Sequence, residues 1–250
     1  MGYAHLIVDR EGHVATVRLN RPEKHNALNA AISLELIDCL DELEADDSVR
    51  VIILTGCGPK AFCAGADMAE AVAESTNGSY VGAPARAVAR LLRTRKPVIA
   101  AVNGHAYGGG AALAINCDIR IASANARFRF VGSTYGLVVG ASQLPRLVGA
   151  PVAKDLIFTA RVVEAEEALR IGLANRVVPL DQLEQTALEM ARAIAENSPA
   201  AVQASKEVID IATANKDASR REMEHNVQLR QSKEHQERFR AATERVTGGK

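Results

Sequence analysis

The chain opens with a stretch in which hydrophobic and polar residues alternate. The segment from His5 to Asn20 follows this pattern on both sides of an interruption at Glu11 and Gly12. Alternation is typical of strands with one buried face, and a glycine between two such runs favours a tight turn. The pattern therefore predicts an N-terminal β-hairpin.

Helical patterns and fully apolar runs then take turns along the chain. Apolar residues recur at helical spacing from Ala31 to about Glu44, and further helices are predicted near 83–94 and over Ala111–Asn116. Short runs without polar alternation indicate strands buried on both faces. Strands separated by helices predict right-handed βαβ crossovers and a largely parallel sheet. The apolar runs are Val51–Thr55, Pro97–Val102 and Cys117–Ala122.

The C-terminal part has a different pattern. From about Ser142 onward the chain is predicted to be almost entirely helical, and its later helices carry many charges. We therefore expect an α/β core over residues 1–195 and a C-terminal helical segment over residues 196–250. The charged helical stretches are 181–197, 199–214 and 217–246.

Charge and cysteine content narrow the class of protein. Thirty basic and thirty acidic residues give a net charge of zero, so no global attraction for nucleic acid or an anionic membrane is expected. No apolar run reaches the roughly 18–20 residues of a membrane-spanning helix. The cysteine spacings match no metal site, so free thiols in a cytoplasmic protein without a metal are expected. The cysteines are Cys39, Cys57, Cys63 and Cys117.

Two glycine-rich segments, each directly after a buried strand, are the candidate functional sites. They span Gly56–Asp67 and Asn103–Ala111. Small residues allow a ligand to touch main-chain N–H groups at such turns. A purely conformational role is the alternative for each turn. The first also fits the G-x-G-x-x-A dinucleotide pattern through Gly56, Gly58 and Ala61, which leaves a nicotinamide-dependent oxidoreductase as another alternative.

Four sequence blocks together resemble one enzyme family. LNRPEKHNALN (19–29), VIILTGCGPKAFCAGADM (51–68) and KPVIAAVNGHAYGGGAALAINCDIRIAS (96–123) are similar to successive blocks of the enoyl-CoA hydratase/isomerase, or crotonase, superfamily. RVVEAEEALRIGLANRVVP (161–179) resembles a later block. The resemblance implies a crotonase-type spiral of ββα repeats and an acyl-CoA substrate. It also implies a homotrimer or a dimer of trimers, with coenzyme A present only as part of the substrate.

The resemblance also assigns roles to individual residues. The main-chain N–H groups of Ala66 and Gly109 would form an oxyanion hole for the thioester carbonyl, which stabilises an enolate as negative charge develops. This chemistry needs small residues and no side-chain donor. The coenzyme A contacts implied in the same way are Lys24, Ala27, Ala64, Asp67, Met68 and Gly108.

The chain departs from the family pattern at the acidic residues. The two glutamates of the hydratases correspond here to Ala112 and Gly132, and the acid of related isomerases corresponds to a position near Gly140. General acids and bases typically contribute about 10²–10⁴-fold each. The departure therefore predicts weak hydration of crotonyl-CoA.

Three explanations of this departure stay open at the level of sequence. Another side chain transfers the proton, with Tyr135 as the first candidate beside His25, His105 and Asp67. A water or small anion occupies the space vacated at Gly132. In the third, the protein is a non-catalytic acyl-CoA binder or scaffold.

Overall fold

The computed structural model describes residues 2–70 and 82–247, which form two sheets flanked by helices. The strands are β1 Leu6–Glu11, β2 Val14–Leu19, β3 Val51–Gly56, β4 Ala61–Cys63, β5 Val98–Val102, β6 His105–Tyr107, β7 Ile119–Ser123, β8 Arg127–Arg129, β9 Val162–Glu164 and β10 Arg176–Val178. The helices are α1 Ala30–Ala45, α2 Ala83–Leu92, α3 Gly109–Ile115, α4 Leu144–Thr159, α5 Ala165–Arg170, α6 Leu183–Ala195, α7 Pro199–Thr213, α8 Lys216–Arg230 and α9 Lys233–Thr247.

The larger sheet confirms the strands predicted from the apolar runs. Its order is β1-β2-β3-β5-β7-β10, and the smaller sheet has the order β4-β6-β8-β9. β1 and β2 form the predicted antiparallel hairpin, while β3, β5 and β7 pair in parallel. Each of these three parallel strands is followed by a short strand of the smaller sheet and then by a helix. The predicted α/β fold with a spiral of ββα repeats is therefore confirmed.

Both faces of the larger sheet are covered, which explains why its central strands are apolar throughout. Leu54 and Ala100 belong to the main core, which α1, α2 and α3 close. Ile53 and Ile99 point to the opposite face and pack against α6. With no tryptophan in the chain, small aliphatic residues fill most of this interior.

The structure departs from the prediction for the C-terminal part in one respect. Two strands of three residues each, β9 and β10, interrupt the expected helices and pair with β8 and β7. Strands this short lack a hydrophobic period, so only their tertiary partners define them. The helical stretch 217–246 is divided into two helices, because the chain turns at Gln231 and Ser232.

Several predicted absences concern the described part of the chain. There, no helix is long and apolar enough to cross a membrane, and no group of histidine, cysteine or acidic side chains is arranged to hold a metal ion. The four cysteines are unpaired, as predicted. Burial raises the pKa of the Cys39, Cys63 and Cys117 thiols to about 12.

Candidate active site

The fold brings the two glycine-rich segments together. β4 and β6 are neighbours in the smaller sheet, and the turns that follow them meet at Ala66 and Gly109. A β-carbon at Gly109 would lie 3.6 Å from the amide nitrogen of Ala66. A β-carbon at Gly65 would lie 3.1 Å from the amide nitrogen of Gly109. The two turns are thus in van der Waals contact through their main chains.

The two predicted donor amides differ from the amides beside them. The N–H of Asp67 donates to a carbonyl of the loop before α1 at 2.8 Å, and that of Gly108 donates to a carbonyl of β8 at 2.9 Å. Within residues 2–70 and 82–247, the N–H groups of Ala66 and Gly109 donate to no other group. Ala66 is exposed and Gly109 is partly exposed. The main chain therefore offers two accessible donors on adjacent turns.

Two buried asparagines fix the turn between β3 and β4, a role that the sequence analysis did not identify. The Asn103 side-chain amide donates to the carbonyls of Gly56 at 2.9 Å and Gly58 at 2.6 Å. The Asn26 amide donates to the Ala61 carbonyl at 2.8 Å. Buried carbonyls need such partners. For Asn103, the Asn-Gly pair at 103–104 directly after a strand was the available sequence signal.

Asp67 is engaged on both carboxylate oxygens. Its Oδ1 accepts from the Ala69 N–H at 3.2 Å, which is a local cap of the following turn. Its Oδ2 lies 3.1 Å from Nη2 of Arg21, and Nη1 of Arg21 donates to the Ala27 carbonyl at 2.7 Å. Arg21 therefore ties the loop after β2 to the turn after β4, a role that sequence reasoning missed.

The residues predicted to contact coenzyme A fall on three neighbouring loops. Lys24 is exposed and Ala27 buried in the loop after β2, and Ala64 is exposed after β4. Met68 is partly exposed, whereas Gly108 is buried after β6 with a φ of +50° that favours glycine. A bridge between Leu28 and Ala66 joins the first two loops. Their roles in binding stay predictions.

The main chain is crowded around Gly132. A β-carbon there would lie 2.9 Å from both the Leu137 carbonyl oxygen and the Val139 nitrogen. The Leu137 N–H also donates to the Gly132 carbonyl at 2.8 Å, which closes the loop on itself. Main-chain atoms therefore crowd the position of a first side-chain carbon at Gly132, and a water or small anion further out stays a prediction. At the other departure, Ala112 is buried within α3.

The C-terminal helices hold the loop between Gly132 and α4 through its main chain. The Glu222 carboxylate of α8 accepts from the Gly140 N–H at 2.8 Å and from the Ser142 N–H at 2.7 Å. The Asn226 side chain accepts from the Val138 N–H at 2.9 Å and donates to the Val138 carbonyl at 2.6 Å. These four hydrogen bonds occupy main-chain groups that would bond to water if the loop were free.

Tyr135 packs against the last helix. Nδ1 of His235 lies 2.6 Å from the Tyr135 carbonyl oxygen, and the Tyr135 ring meets the Phe239 ring edge-on at a centroid distance of 5.9 Å. The ring of Tyr135 thus packs against the last helix, and its role in proton transfer stays a prediction. His105 lies away from this point, because it stands at the start of β6 whereas Gly109 follows its end. The His25 carbonyl accepts from the Ala64 N–H at 3.0 Å.

The Glu222 contacts lead to a stability prediction. Glu222→Ala is expected to lower the free energy of unfolding by about 1–3 kcal/mol, because it leaves two main-chain donors without their charged acceptor. Amide hydrogen exchange at Gly140 and Ser142 should accelerate with it. Urea unfolding and hydrogen-exchange mass spectrometry measure the two effects.

Glu224→Ala is the matched control for this prediction. Glu224 is on the same helix and, among the residues that the structure describes, pairs only with exposed Arg220 and Arg221. Its replacement should therefore cost no more than about 0.5 kcal/mol. Equal costs for the two variants would show that the carboxylate of Glu222 does not fix the loop.

Comparison with known proteins decides the family. A family model described as enoyl-CoA hydratase/isomerase matches residues 9–247. The chain belongs to the enoyl-CoA hydratase/isomerase family. The predicted resemblance is thereby confirmed.

Individual members of the enoyl-CoA hydratase/isomerase family are similar to this chain over most of its length. It is 47% identical over 210 residues to a short-chain-enoyl-CoA hydratase of Clostridium acetobutylicum, covering 82% of this chain and 80% of the other. A solved monofunctional enoyl-CoA isomerase from M. smegmatis has a TM-score of 0.74 at 37% identity, with 86% and 97% coverage. An enoyl-CoA hydratase/isomerase from Xanthobacter autotrophicus Py2 has a TM-score of 0.88 at 30% identity, with 99% and 95% coverage.

Membership of the enoyl-CoA hydratase/isomerase family also removes one alternative. The G-x-G-x-x-A segment from Gly56 leads into the short strand β4 rather than into a helix. A dinucleotide site needs the helix N-terminus directly after the glycines, so the oxidoreductase interpretation is wrong.

Proposed function

We propose that this protein binds an acyl-CoA thioester with its carbonyl oxygen between the amides of Ala66 and Gly109. The observation that carries the proposal is the meeting of two accessible, otherwise unused main-chain donors on adjacent turns. Both donors would strengthen their hydrogen bonds as the oxygen gains negative charge in an enolate. The loops that carry Lys24 and Ala64 flank this point and would hold the coenzyme A part.

The proposed reaction is the formation of an enolate without ordinary hydratase turnover. Removing a proton from the α-carbon needs a base, and adding water to a double bond needs an acid and a base. Ala112 supplies neither group, and at Gly132 the Val139 main chain takes the place of a longer side chain. In this proposal solvent takes the α-proton, while the two amides lower the energy of the enolate.

Isotope exchange tests the proposal. Incubation with butyryl-CoA in D₂O should place deuterium at the α-carbon faster than buffer alone, because the amides stabilise the enolate. Hydration of crotonyl-CoA should be slower than that of an ordinary family hydratase by at least about 10²–10⁴-fold, the effect of losing one such group. Mass spectrometry measures the first reaction. The loss of absorbance of the conjugated enoyl thioester measures the second.

Two results would contradict this proposal in different ways. A crotonyl-CoA turnover number near that of ordinary family hydratases would show that another group replaces the missing glutamates. Tight butyryl-CoA binding without exchange or any product would favour the non-catalytic acyl-CoA binder. The loop at Gly132 closes on its own main chain, and this observation favours the second candidate function.

We also propose the homotrimer, or dimer of trimers, that the resemblance implies. Supporting it, α7 exposes Val208, Ile209 and Ile211 by 64%, 60% and 67%. Three large aliphatic side chains on one helix form an apolar surface of the kind found at subunit contacts. In this arrangement α7 to α9 would serve as the contact and lid segment.

A further inference from the structure

A cavity lies away from the proposed thioester site. Its volume is about 420 Å³, and it opens beside the first residues of β4, β6 and β8. His105 pairs with Ala61 on one side and with Arg127 on the other, so these strand starts are adjacent. Ala66 and Gly109, in contrast, follow the opposite ends of β4 and β6.

Basic side chains dominate the lining of this cavity. The lining includes Lys60, Arg127, His25 and His105, and Glu164 is its one carboxylate among residues 2–70 and 82–247. Nε of Arg127 donates to Glu164 at 3.0 Å. In the described residues, the terminal nitrogens of Arg127 and the Lys60 ammonium have no acceptor. Two full positive charges therefore face one negative charge, with donors left over for a ligand.

His105 lines the cavity, and these positive charges affect its pKa. Burial, together with the charges of Arg127 and His25, lowers the pKa of His105. Its ring is fixed by stacking on Tyr107, with centroids 5.1 Å apart and planes 4° from parallel. A bound anion would oppose this field and raise the pKa of His105.

We propose that this cavity binds a phosphate monoester or inorganic phosphate dianion. A guanidinium presents paired donors that match two phosphate oxygens, and an ammonium adds a point charge beside it. The cavity is larger than a phosphate, so it has room for the group that carries the ester. Two sources share this chemistry, namely free phosphate compounds and the 3′-phosphate of coenzyme A, and the second source alone rests on the proposed function.

Titration calorimetry tests the proposal with inorganic phosphate, coenzyme A and dephospho-coenzyme A as separate probes. The test variant is Lys60→Gln with Arg127→Gln, and the control is Lys154→Gln, which removes an exposed lysine on α4. Phosphate should bind the wild type and the control alike, and bind the test variant at least tenfold more weakly. In the wild type, NMR should show the pKa of His105 rising when phosphate is added.

The titrations with coenzyme A and dephospho-coenzyme A identify the source of the bound phosphate. If coenzyme A binds the wild type more tightly than dephospho-coenzyme A, and the test variant loses this difference, the ligand is the coenzyme phosphate. Equal binding of the two coenzymes, with phosphate binding still lost in the variant, identifies a free phosphate compound. The proposal is overturned if the variant binds phosphate and both coenzymes as the wild type does. That result would leave the thioester site untouched, because deuterium exchange tests it separately.

Discussion

Gly65→Ala is expected to lower the α-proton exchange rate of butyryl-CoA by about 10²–10³-fold, the effect of losing one oxyanion donor. Its β-carbon would lie 2.8 Å from the Tyr107 carbonyl oxygen and 3.1 Å from the Gly109 nitrogen. Both neighbours are main-chain atoms, so the two turns must separate to admit it. Gly65 also has a φ of +96°, which a side chain strains further. Mass spectrometry in D₂O measures the rate.

Gly12→Ala is the control for backbone strain. Gly12 has a φ of +56° in the β1–β2 turn, and a β-carbon there would have nothing within 4 Å. Its replacement should cost about 1–2 kcal/mol of stability and leave exchange unchanged. If Gly65→Ala retained the wild-type exchange rate while folded, the meeting of the two turns would have no part in the chemistry.

Gly110→Ala is expected to cause the largest loss of stability, about 3 kcal/mol or more. A β-carbon at Gly110 would overlap the Cys63 carbonyl oxygen and lie 2.7 Å from its carbonyl carbon. Overpacking against side chains usually costs about 1–3 kcal/mol, and here β4 itself must move. Because a domain of this kind is stable by about 5–15 kcal/mol, urea unfolding should resolve the change clearly.

The adjacent glycine supplies the comparison for this variant. A β-carbon at Gly109 would meet Gly65, Leu28 and Ala66 at 3.5–3.6 Å, which is ordinary contact. Gly109→Ala should therefore change stability by no more than about 1 kcal/mol, since alanine also favours the helix. Similar stabilities for the two variants would mean that α3 can shift away from β4 without cost.

Together, the Gly65→Ala and Gly110→Ala variants distinguish an effect on the reaction from an effect on stability. Gly110 allows α3 to approach β4, whereas Gly65 allows the two turns to meet. The two glycines therefore have different roles, one in packing a helix against a strand and the other in bringing two turns together. At Gly110 the requirement for glycine is steric, since a β-carbon there would overlap Cys63, and the exchange experiment tests whether Gly65 has more than a conformational role.

The elements with a long hydrophobic period were predictable from sequence. The hairpin, α1 and the three apolar strands buried on both faces follow from local patterns, because burial on one or two faces dictates which positions must be apolar. The family resemblance added the order of the repeats. It also located Ala66 and Gly109, which no periodicity could distinguish from other small residues in turns.

Elements defined by distant partners were not predictable. β9 and β10 have three residues each and exist because β8 and β7 offer free edges. Asn26, Asn103 and Arg21 act through carbonyls and a carboxylate that lie far from them in sequence. A polar residue in a loop has the same local signal whether it is exposed or buried, so only the folded chain reveals these contacts.

The sequence by itself determined the α/β class, the family and the absence of acids at Ala112 and Gly132, because residue identity and local hydrophobic spacing carry that information. The tertiary structure alone decided that the loop after Gly132 closes on its own main chain and that Glu222 holds it. It also decided that basic side chains from separate strands share one cavity. These features depend on which main-chain atoms approach one another across long stretches of chain, and side-chain pattern does not encode those distances locally.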